Sequence, residues 1–433
     1  YEFINAEVKE TVVNNNNLNI SISFNESEKF YVERINVLGN QITLEEVIRN
    51  TLIVDEGDPL NEILFNKSIN NLKALGIFKK VDTDIQDGSD KSLKIVNINI
   101  EERPSGEISL AAGFGTTGGI IGGGIKEKNF LGKGINLDAN LELTPESIKG
   151  RFIYAKPNFR NSDNTLFTSL KSSTTDLLTN SGYKTSELGF SLGTKFEQFQ
   201  NIFLSPEIDL LLEDLETSSK ASNTLKKQEG SYTDLYFNYS INQDLRDKKF
   251  RTESGYQTFF TQEVPIISDN SEFANSFEIS KFKKLSTRSD TVGKISFYAK
   301  TITGLSDDVR ISKRLNIPSS KLRGFEKGRV GPIDNNDFVG GNHVTALNLS
   351  ATLPNIVEGL DNLDVGVFID AANVWGVDYN SSLDDKNTIR TSTGVAFNLL
   401  TPIGPLSFSF ANALTKASTD KTETFRFRLG TQF

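Results

Sequence analysis

F-R-F-R-L-G-T-Q-F, residues 425–433, is the stretch that decides the fold. It alternates with a period of two residues, with Phe425, Phe427, Leu429 and Phe433 on one side and Arg426, Arg428, Gly430 and Gln432 on the other. Soluble proteins seldom finish on a strand whose apolar side reaches an aromatic last residue. A transmembrane β-barrel uses such a strand, because its last strand must pair with its first to leave no sheet edge in lipid. The stretch therefore predicts a transmembrane β-barrel.

The composition excludes several classes of protein. The chain has 433 residues, of which 37% are hydrophobic, and its mean hydropathy is −0.32. No apolar run approaches the roughly 20 residues that a spanning helix needs. Barrel strands escape this test, because only alternate residues face lipid. The net charge of −9 argues against a nucleic-acid partner.

Reactive side chains are scarce. The chain has no cysteine and one histidine, His343, which excludes disulfide scaffolds and cysteine-based zinc or redox sites. Most nucleophilic and transition-metal sites would lack their usual residues. We therefore expect neither an enzyme, nor a metal site, nor a cofactor. Methionine is also absent. We expect the chain to be a processed fragment without its signal peptide and upstream part.

Two regions precede the expected barrel. Residues 1–30 suggest two strands, 2–13 and 18–24, and we interpret them as the remnant of an upstream module. Residues 31–103 predict a small α+β domain in the order β-α-α-β-β, with strands at 31–38, 78–85 and 93–100. Thr43, three residues before Glu46, has the spacing of a capping box for the first helix. The second helix is predicted from an apolar stripe that ends at Gly76, formed by Ile63, Leu64, Ile69, Leu72 and Leu75.

Residues 104–433 contain no convincing helix and read as alternating strands. The clearest run has Ile135, Leu137, Ala139 and Leu141 set against polar neighbours. We expect about 16 strands, and their even number, alternation and length favour an outer-membrane barrel. A soluble sandwich is the alternative, but it would normally divide into domains of about 100 residues, and no such boundaries are visible.

The longest irregular stretch of the barrel region is residues 306–342. It contains K-L-R-G-F at 321–325 and several glycines, which suggests a loop that folds back into a confined space. Arg323 then needs a carboxylate, and Asp370 is a candidate. In L-D-V-G-V-F-I-D-A-A-N-V-W, residues 363–375, parity places Asp370 with Gly366 and Phe368 on the inward side if Val365, Val367 and Ile369 meet lipid. A charge inside a barrel is paired or costly.

These features together resemble one known family. L-R-G-F at 322–325, G-V-F-I-D-A-A-N-V-W at 366–375, L-L-T-P-I-G-P-L-S-F-S-F at 399–410 and the last nine residues are similar to the BamA family of outer-membrane assembly factors. In that family POTRA domains precede a 16-stranded barrel. The resemblance identifies residues 31–103 as the last POTRA domain, residues 1–30 as the end of the one before, and residues 104–433 as the barrel.

The resemblance also implies site residues. Leu322, Arg323, Gly324 and Phe325 correspond to the conserved loop motif, and Asp370 corresponds to its acidic partner. The family often has a second acid on the following strand. The matching position here is Ser350, which puts a network with two acids in doubt.

The family further implies a lateral seam between the first and last barrel strands. We expect the first strand to contribute Gly106, Ile108, Leu110, Ala112, Gly113 and Phe114, and the last strand Phe425, Phe427, Leu429, Gly430 and Phe433. Glycines weaken strand pairing. A seam that opens sideways could template an incoming strand by β-augmentation without a catalytic residue.

The expected function is thus folding and insertion of β-barrel proteins in the outer membrane of a Gram-negative bacterium, with the POTRA part in the periplasm. The implied partners are the outer-membrane bilayer, unfolded β-barrel clients and accessory periplasmic lipoproteins. A TamA-like assembly factor and a two-partner secretion transporter remain as alternatives within the superfamily. A passive porin is disfavoured, because it needs neither the small α+β domain nor the R-G-F loop.

Other motifs are explained by ordinary structure. Gly118, Gly119 and the glycines at 122–124 lack the Gly-Lys-Ser/Thr of a phosphate loop. D-N-N-D at 334–337 lacks the ligand spacing of a calcium loop, and we expect a solvated turn. We expect His343 on a strand or at the barrel rim, and Trp375 in an interfacial aromatic belt.

Overall fold

A computed structural model describes residues 4–14, 17–26, 29–115, 118–249, 251–286, 290–354, 362–383, 388–401 and 404–429. The first part of the chain contains strands β1 (Ile4–Asn14), β2 (Asn17–Glu26) and β3 (Tyr31–Leu38), helices α1 (Glu45–Arg49) and α2 (Glu62–Ala74), and strands β4 (Phe78–Asp87) and β5 (Leu93–Glu102). Strands β1 and β2 form a two-stranded antiparallel sheet of their own. Whether they end an upstream POTRA domain stays a prediction.

The remaining elements follow in chain order. They are β6 (Gly106–Gly115), β7 (Gly118–Phe130), β8 (Ile135–Leu143), β9 (Ser147–Lys156), β10 (Thr165–Leu177), β11 (Tyr183–Phe199), β12 (Ile202–Thr217), α3 (Asn223–Lys226), β13 (Gly230–Asp244), β14 (Gly255–Ser268), β15 (Glu272–Lys284), β16 (Val292–Gly304), β17 (Ile333–Asp334), β18 (Asp337–Phe338), β19 (His343–Pro354), β20 (Leu363–Trp375), β21 (Arg390–Thr401), β22 (Gly404–Thr415) and β23 (Phe425–Leu429). Residue contacts divide the chain into two compact units, one made of Tyr1–Glu107, Lys126–Leu137 and Ala155–Asp163, and the other of the rest.

The small α+β domain has the predicted order. Strand β5 lies between β3 and β4, parallel to β3 and antiparallel to β4. The two helices cover one face of this sheet, and the core between them includes Ile48, Leu72 and Ile98, each fully buried. Burial of such apolar side chains supplies most of the stability of a domain this small.

Two local predictions in this domain are wrong. Thr43 does not cap α1, because the residue before the helix is Leu44 and it makes no side-chain cap. The backbone N–H of Thr43 donates instead to Glu102 at 2.6 Å, and its hydroxyl accepts from Asn129 at 2.8 Å. Glu102, at the end of β5, reaches this loop from far away in sequence, so a local spacing rule could not reveal it.

The apolar stripe of α2 is also shifted at its start. Ile63 and Leu64 are 79% and 40% exposed, whereas Phe65, Ile69 and Leu72 are buried. Those three follow the i, i+4, i+7 spacing that places side chains on one helical face. The end of the helix is as predicted, since Gly76 follows it with φ +68°.

Sixteen strands form one closed antiparallel barrel, in the order β6 to β16, then β19 to β23, with β23 next to β6. The predicted fold class is therefore confirmed, with one small exception: α3 is a four-residue helix in the barrel region, where none was expected. No helix among the described residues is long and apolar enough to cross a membrane. We call the end of the barrel at which β6 begins the amino-terminal rim and the other end the loop rim.

The barrel wall separates an apolar outer side from a packed inner side. On β20, Val367 and Ile369 are 47% and 51% exposed, whereas Phe368 and Asp370 are 3% and 0% exposed. The predicted parity of this strand is correct, and Asp370 faces inward. On β6, Ile108, Leu110 and Phe114 are all strongly exposed. Alternation of this kind is what a barrel surrounded by lipid requires.

Candidate functional site

The connection between β16 and β19, residues 305–342, packs against the inside of the barrel wall, and we call it the inner loop. Its apolar residues, Val309, Leu315, Ile317, Leu322, Phe325 and Val330, pack in one buried cluster with inward-facing residues of the wall. Val344 on β19 and Val374 on β20, for example, are 0% and 1% exposed. The loop therefore has its own core against the inside of the wall, as the predicted inward folding requires.

The structure brings Arg323 and Asp370 together. Nε and Nη2 of Arg323 each lie 2.7 Å from one carboxylate oxygen of Asp370, and the backbone N–H of Arg323 donates to Oδ2 at 3.1 Å. The guanidinium also lies over the ring of Phe368, 3.4 Å from its centroid. Asp370 is fully buried and the Arg323 side chain is 22% exposed. Bidentate geometry and the aromatic face both compensate for the cost of burying these charges.

Gly324 and Phe325 explain why this motif has its composition. Gly324 has φ +84°, and a Cβ there would lie 3.2 Å from Ala411 and 3.3 Å from Ser392. A side chain would thus be strained and crowded against β21 and β22. The Ser392 hydroxyl donates to the carbonyl of Arg323 at 2.6 Å. Phe325 is 2% exposed. We call Leu322–Phe325 together with Asp370 the loop latch.

Asn348 completes the latch, and the sequence did not identify it. It lies directly opposite Asp370 in the register of β19 and β20. Its side-chain amide donates to Asp370 Oδ1 at 2.8 Å and to the carbonyl of Lys321 at 2.7 Å. Ser350 pairs instead with Phe368. The second partner of Asp370 is therefore an amide, and it lies two residues before Ser350, the position that the resemblance suggested.

The loop latch is bonded to the connection before the last strand. Phe325 and Thr422 form an isolated β-bridge. Around it, Glu326 N–H donates to the carbonyl of Lys421 at 3.0 Å, and Glu423 N–H donates to the carbonyl of Gly324 at 3.1 Å. These bonds use backbone groups, so they fix the path of the loop whatever side chains it carries.

Arg426 extends this attachment onto β23 itself. Its guanidinium donates to the carbonyls of Ser319 at 2.8 Å and Phe325 at 2.5 Å, and it forms an ion pair with Glu423 at 2.9 Å. The Arg426 side chain is 13% exposed. The last barrel strand is therefore held directly by the inner loop.

A second buried network, which no sequence pattern indicated, holds the first part of the inner loop. Arg310 is 0% exposed and lies between three carboxylates on other strands, Glu213 at 3.1 Å, Asp234 at 2.5 Å and Glu272 at 2.9 Å. Its guanidinium also lies 4.4 Å from the ring centroid of Tyr232. Lys313 adds a second cation, 3.6 Å from Glu213. A buried cation with three acids is costly to disrupt, because each remaining charge would be left uncompensated.

Asp378 ties the two ends of the inner loop together just outside β20. It accepts from Val309 N–H at 3.0 Å and from the Asn342 side chain at 2.9 Å, and it pairs with Arg314. Burial alone would raise the pKa of Asp378, but these hydrogen bonds and the charge of Arg314 hold it below its usual range. The carboxylate form therefore persists at neutral pH.

D-N-N-D at 334–337 is a hairpin turn with an exposed tip and buried ends. Asn335 and Asn336 adopt positive φ of 47° and 74° between β17 and β18. Asp334 and Asp337 are 6% and 9% exposed, and Asp334 accepts hydrogen bonds from Ser222 and Tyr379. The expectation of a solvated turn is correct for Asn335 and Asn336, which are exposed, but wrong for the two aspartates, which are packed among other connections of the barrel. Among the described residues no group of His, Asp and Glu is arranged to hold a metal ion.

The structure describes part of the seam. Among the described residues, β23 and β6 pair at Arg428 with Gly115 and at Leu429 with Phe114. On its other side β23 pairs with β22, and the rings of Phe425 and Phe427 lie 5.0 and 5.4 Å from those of Phe410 and Phe408. Gly106 begins β6, and Ala112 and Gly113 lie within it. Gly430 and Phe433 lie outside the described residues.

His343 and Trp375 face each other at the loop rim, with ring centroids 5.5 Å apart, as paired residues of β19 and β20. The placement of His343 on a strand at the rim is as predicted.

Comparison with known proteins identifies relatives. A family profile described as "Omp85 superfamily domain" matches residues 129–433, and a POTRA profile, "Surface antigen variable number repeat", matches residues 30–103. The outer membrane protein assembly factors BamA of Neorickettsia risticii and Neisseria meningitidis serogroup B are 23% and 24% identical, and each match covers 94% of this chain. The chain spans 56% and 57% of their respective lengths.

A solved structure shows the same fold. The crystal structure of BamA from Haemophilus ducreyi lacking POTRA domains 1–3 superposes with a TM-score of 0.79. The match covers 100% of this chain and 90% of that one, at 21% sequence identity. Likeness at this level of identity shows the architecture, and the individual side-chain roles must be argued from the geometry above.

Proposed function

This chain belongs to the Omp85 superfamily, and to the BamA family within it, and we propose that it folds and inserts β-barrel proteins into the outer membrane by templating their strands at the seam between β6 and β23. The observation that carries the proposal is that the barrel closes between its first and last strands, with β23 also bonded to the inner loop through Arg426.

A seam of this kind can act without chemistry. Each ladder hydrogen bond contributes about 1 kcal/mol net, and Gly106 and Gly113 weaken the pairing of β6 further. Separation exposes the backbone N–H and C=O groups of a strand edge, which in lipid must find partners. An incoming amphipathic strand supplies those partners by β-augmentation. No covalent bond is made or broken, and the proposed activity therefore needs no catalytic residue, metal or cofactor.

The family is one of outer-membrane proteins, and the outer membrane is the location of this barrel. We place the amino-terminal rim and the α+β domain of residues 30–103 in the periplasm. The proposed partners are unfolded β-barrel clients, which arrive from that side, and accessory periplasmic lipoproteins.

The inner loop gives the seam a defined resting position. Arg426 on β23 is bonded to the loop at Ser319 and Phe325, and the loop is bonded to the wall through Arg323 and Asp370. We infer that the loop latch sets how far β23 can move. The domain of residues 30–103, which a POTRA profile matches, disfavours a passive porin.

Reconstitution tests the proposal. The full-length encoded protein is placed in liposomes, and the folding of a denatured small β-barrel is timed by its heat-dependent mobility on electrophoresis. Liposomes that contain an ordinary porin at the same density are the control. We expect a marked acceleration over the porin liposomes. Equal rates, with the protein itself folded, would contradict the proposal and favour the secretion alternative, for which conductance with a secreted partner is the deciding measurement.

A further inference from the structure

The outer surface of the barrel carries an open apolar groove of about 660 Å³. It crosses β15, β16, β19 and β20 near the amino-terminal rim, and it is distinct from both the seam and the inner loop. Its main lining residues on this outer side are Lys281, Lys283, Leu285, Ile295, Leu349 and Val367.

The groove exists because one row of outward positions has almost no side chains. The strand registers place Lys283, Gly293, Ala351 and Val367 side by side across four strands. Between the lysine and the valine, glycine and alanine leave a trough. The side chain of Leu285 covers Gly293, with atoms 2.9–3.1 Å from where a Cβ on Gly293 would lie, so the trough is open over Ala351.

The neighbouring row of outward residues is mostly apolar and lies along one side of this trough. In register it contains Lys281, Ile295, Leu349 and Ile369. The three apolar residues are 46%, 42% and 51% exposed, so they face the surroundings of the barrel. In a membrane those surroundings are acyl chains, and a trough between such side chains suits one chain lying along it.

Two positive charges lie at one end of both rows. Lys281 and Lys283 are exposed and point to the same side of β15, with Cα atoms about 7 Å apart by strand geometry. Neither forms an ion pair with a residue that the structure describes. A cation at the lipid-facing surface is costly unless it reaches the interface or a counter-charge.

The depth of the lysines matches the lipid headgroups. Tyr256 on β14 lies beside Lys281 in the strand register, and its hydroxyl donates to Gln243 at 3.1 Å. Outward tyrosine and polar side chains mark the boundary of the apolar band of a barrel. The lysines therefore lie at the level of phosphate groups, with the trough extending from them along the wall.

We propose that this groove binds one anionic phospholipid, whose phosphate lies between Lys281 and Lys283 and one of whose acyl chains passes the Leu285 side chain and lies over Ala351. A client strand is a poorer occupant, because β15, β16, β19 and β20 are paired on both sides and offer no free backbone edge. The site would hold a lipid next to the strand that carries Asp370. This inference is independent of the proposed insertion activity.

Native mass spectrometry of the full chain tests the site. The protein is released from mixed micelles that contain equal amounts of dioleoyl phosphatidylglycerol and dioleoyl phosphatidylcholine, and the retained lipids are counted. We expect one phosphatidylglycerol to be retained in preference to phosphatidylcholine. Since each lysine contributes a charge contact to an anionic lipid, Lys281→Gln with Lys283→Gln should lower its retention by about tenfold or more.

Two further variants separate this site from general charge. Lys248→Gln with Lys249→Gln removes two charges from the same rim, outside the groove, and should leave retention unchanged. Ala351→Leu fills the trough with both lysines present and should lower retention as the double lysine variant does. Heat-dependent mobility confirms that each variant is folded. Equal retention of the two lipids by the native protein, unchanged retention in the groove variants, or an equal loss in the Lys248 and Lys249 variant would each overturn the proposal.

Discussion

The seam and the opposite wall of the barrel differ in how they are held. Strands β11 and β12 pair at fourteen positions. Strands β12, β13 and β15 carry the three carboxylates that surround the buried Arg310. Strands β6 and β23 close the barrel, and β23 gains further contacts from the inner loop through Arg426. One wall has a long ladder and a buried ion network, and the other is also bonded to the inner loop.

This difference suggests a division of labour in the inner loop. The first part of the loop, with Arg310 and Lys313, forms ion pairs with strands β15 and β12. The second part, with Arg323 and Phe325, lies against β20 to β23. A loop fixed firmly at one end can hold the last barrel strand at the other. The predictions below test each end of the loop in turn.

Arg310→Met should have the largest effect on stability. It leaves Glu213, Asp234 and Glu272 buried without their shared cation, and we expect a loss of about 3 kcal/mol or more. Urea unfolding in detergent, followed by heat-dependent mobility, measures it. Adding Glu272→Gln and Asp234→Asn to Arg310→Met should recover part of the loss, because fewer uncompensated charges remain. If Arg310→Met unfolds at the same urea concentration as the native protein, the Arg310 network does not stabilise this wall.

Arg323→Ala should impair assembly more than barrel stability. Asp370 would keep the amide of Asn348 but lose its cation, which we expect to cost about 2 to 3 kcal/mol of loop attachment. The ladder of β20 is unchanged, so the barrel should still fold. The liposome assay measures the lost activity. Lys327→Ala, on the same loop with a 59% exposed side chain, is the matched control and should behave like the native protein.

Arg323→Lys sharpens this result. It keeps the charge but not the bidentate geometry, and it should fall between the native protein and Arg323→Ala. Native assembly rates in Arg323→Ala would show that the loop latch has no part in the function.

Arg426→Gln should have the smallest effect, confined to the seam side. It removes the donors to Ser319 and Phe325, each worth about 1 kcal/mol. We expect faster amide hydrogen exchange in β23 and unchanged exchange in β11 and β12. Arg246→Gln, whose partner Asp244 lies two residues away at 2.8 Å, is the control arginine. Exchange in β23 that matches the native rate would show that the loop does not hold this strand.

The sequence predicted the barrel well because alternation is a local property. The period-two pattern of residues 425–433 and of residues 363–375 needs no knowledge of the fold, and it placed Asp370 inward correctly. Arg323 could then be matched to Asp370, because a buried charge requires a partner and the motif resembled a known one.

The rest of the site depends on strand register, which the sequence does not reveal. Arg310 lies 38 residues from Glu272 and 76 from Asp234, so no local pattern connects them. Asn348 was missed because its role follows from lying opposite Asp370, and the resemblance pointed to Ser350 instead. Thr43 failed as a cap because Glu102, on a strand far along the chain, binds the same backbone.

A disulfide across the seam tests the central claim most directly. The chain has no cysteine, so Phe114→Cys with Leu429→Cys joins two directly paired positions of β6 and β23 without competing thiols. Phe397→Cys with Phe408→Cys joins paired positions of β21 and β22 and is the matched control. In the liposome assay we predict that the oxidised seam variant is inactive and recovers on reduction, while the control is active in both states. Full activity of the oxidised seam variant would contradict insertion through an opening between β6 and β23.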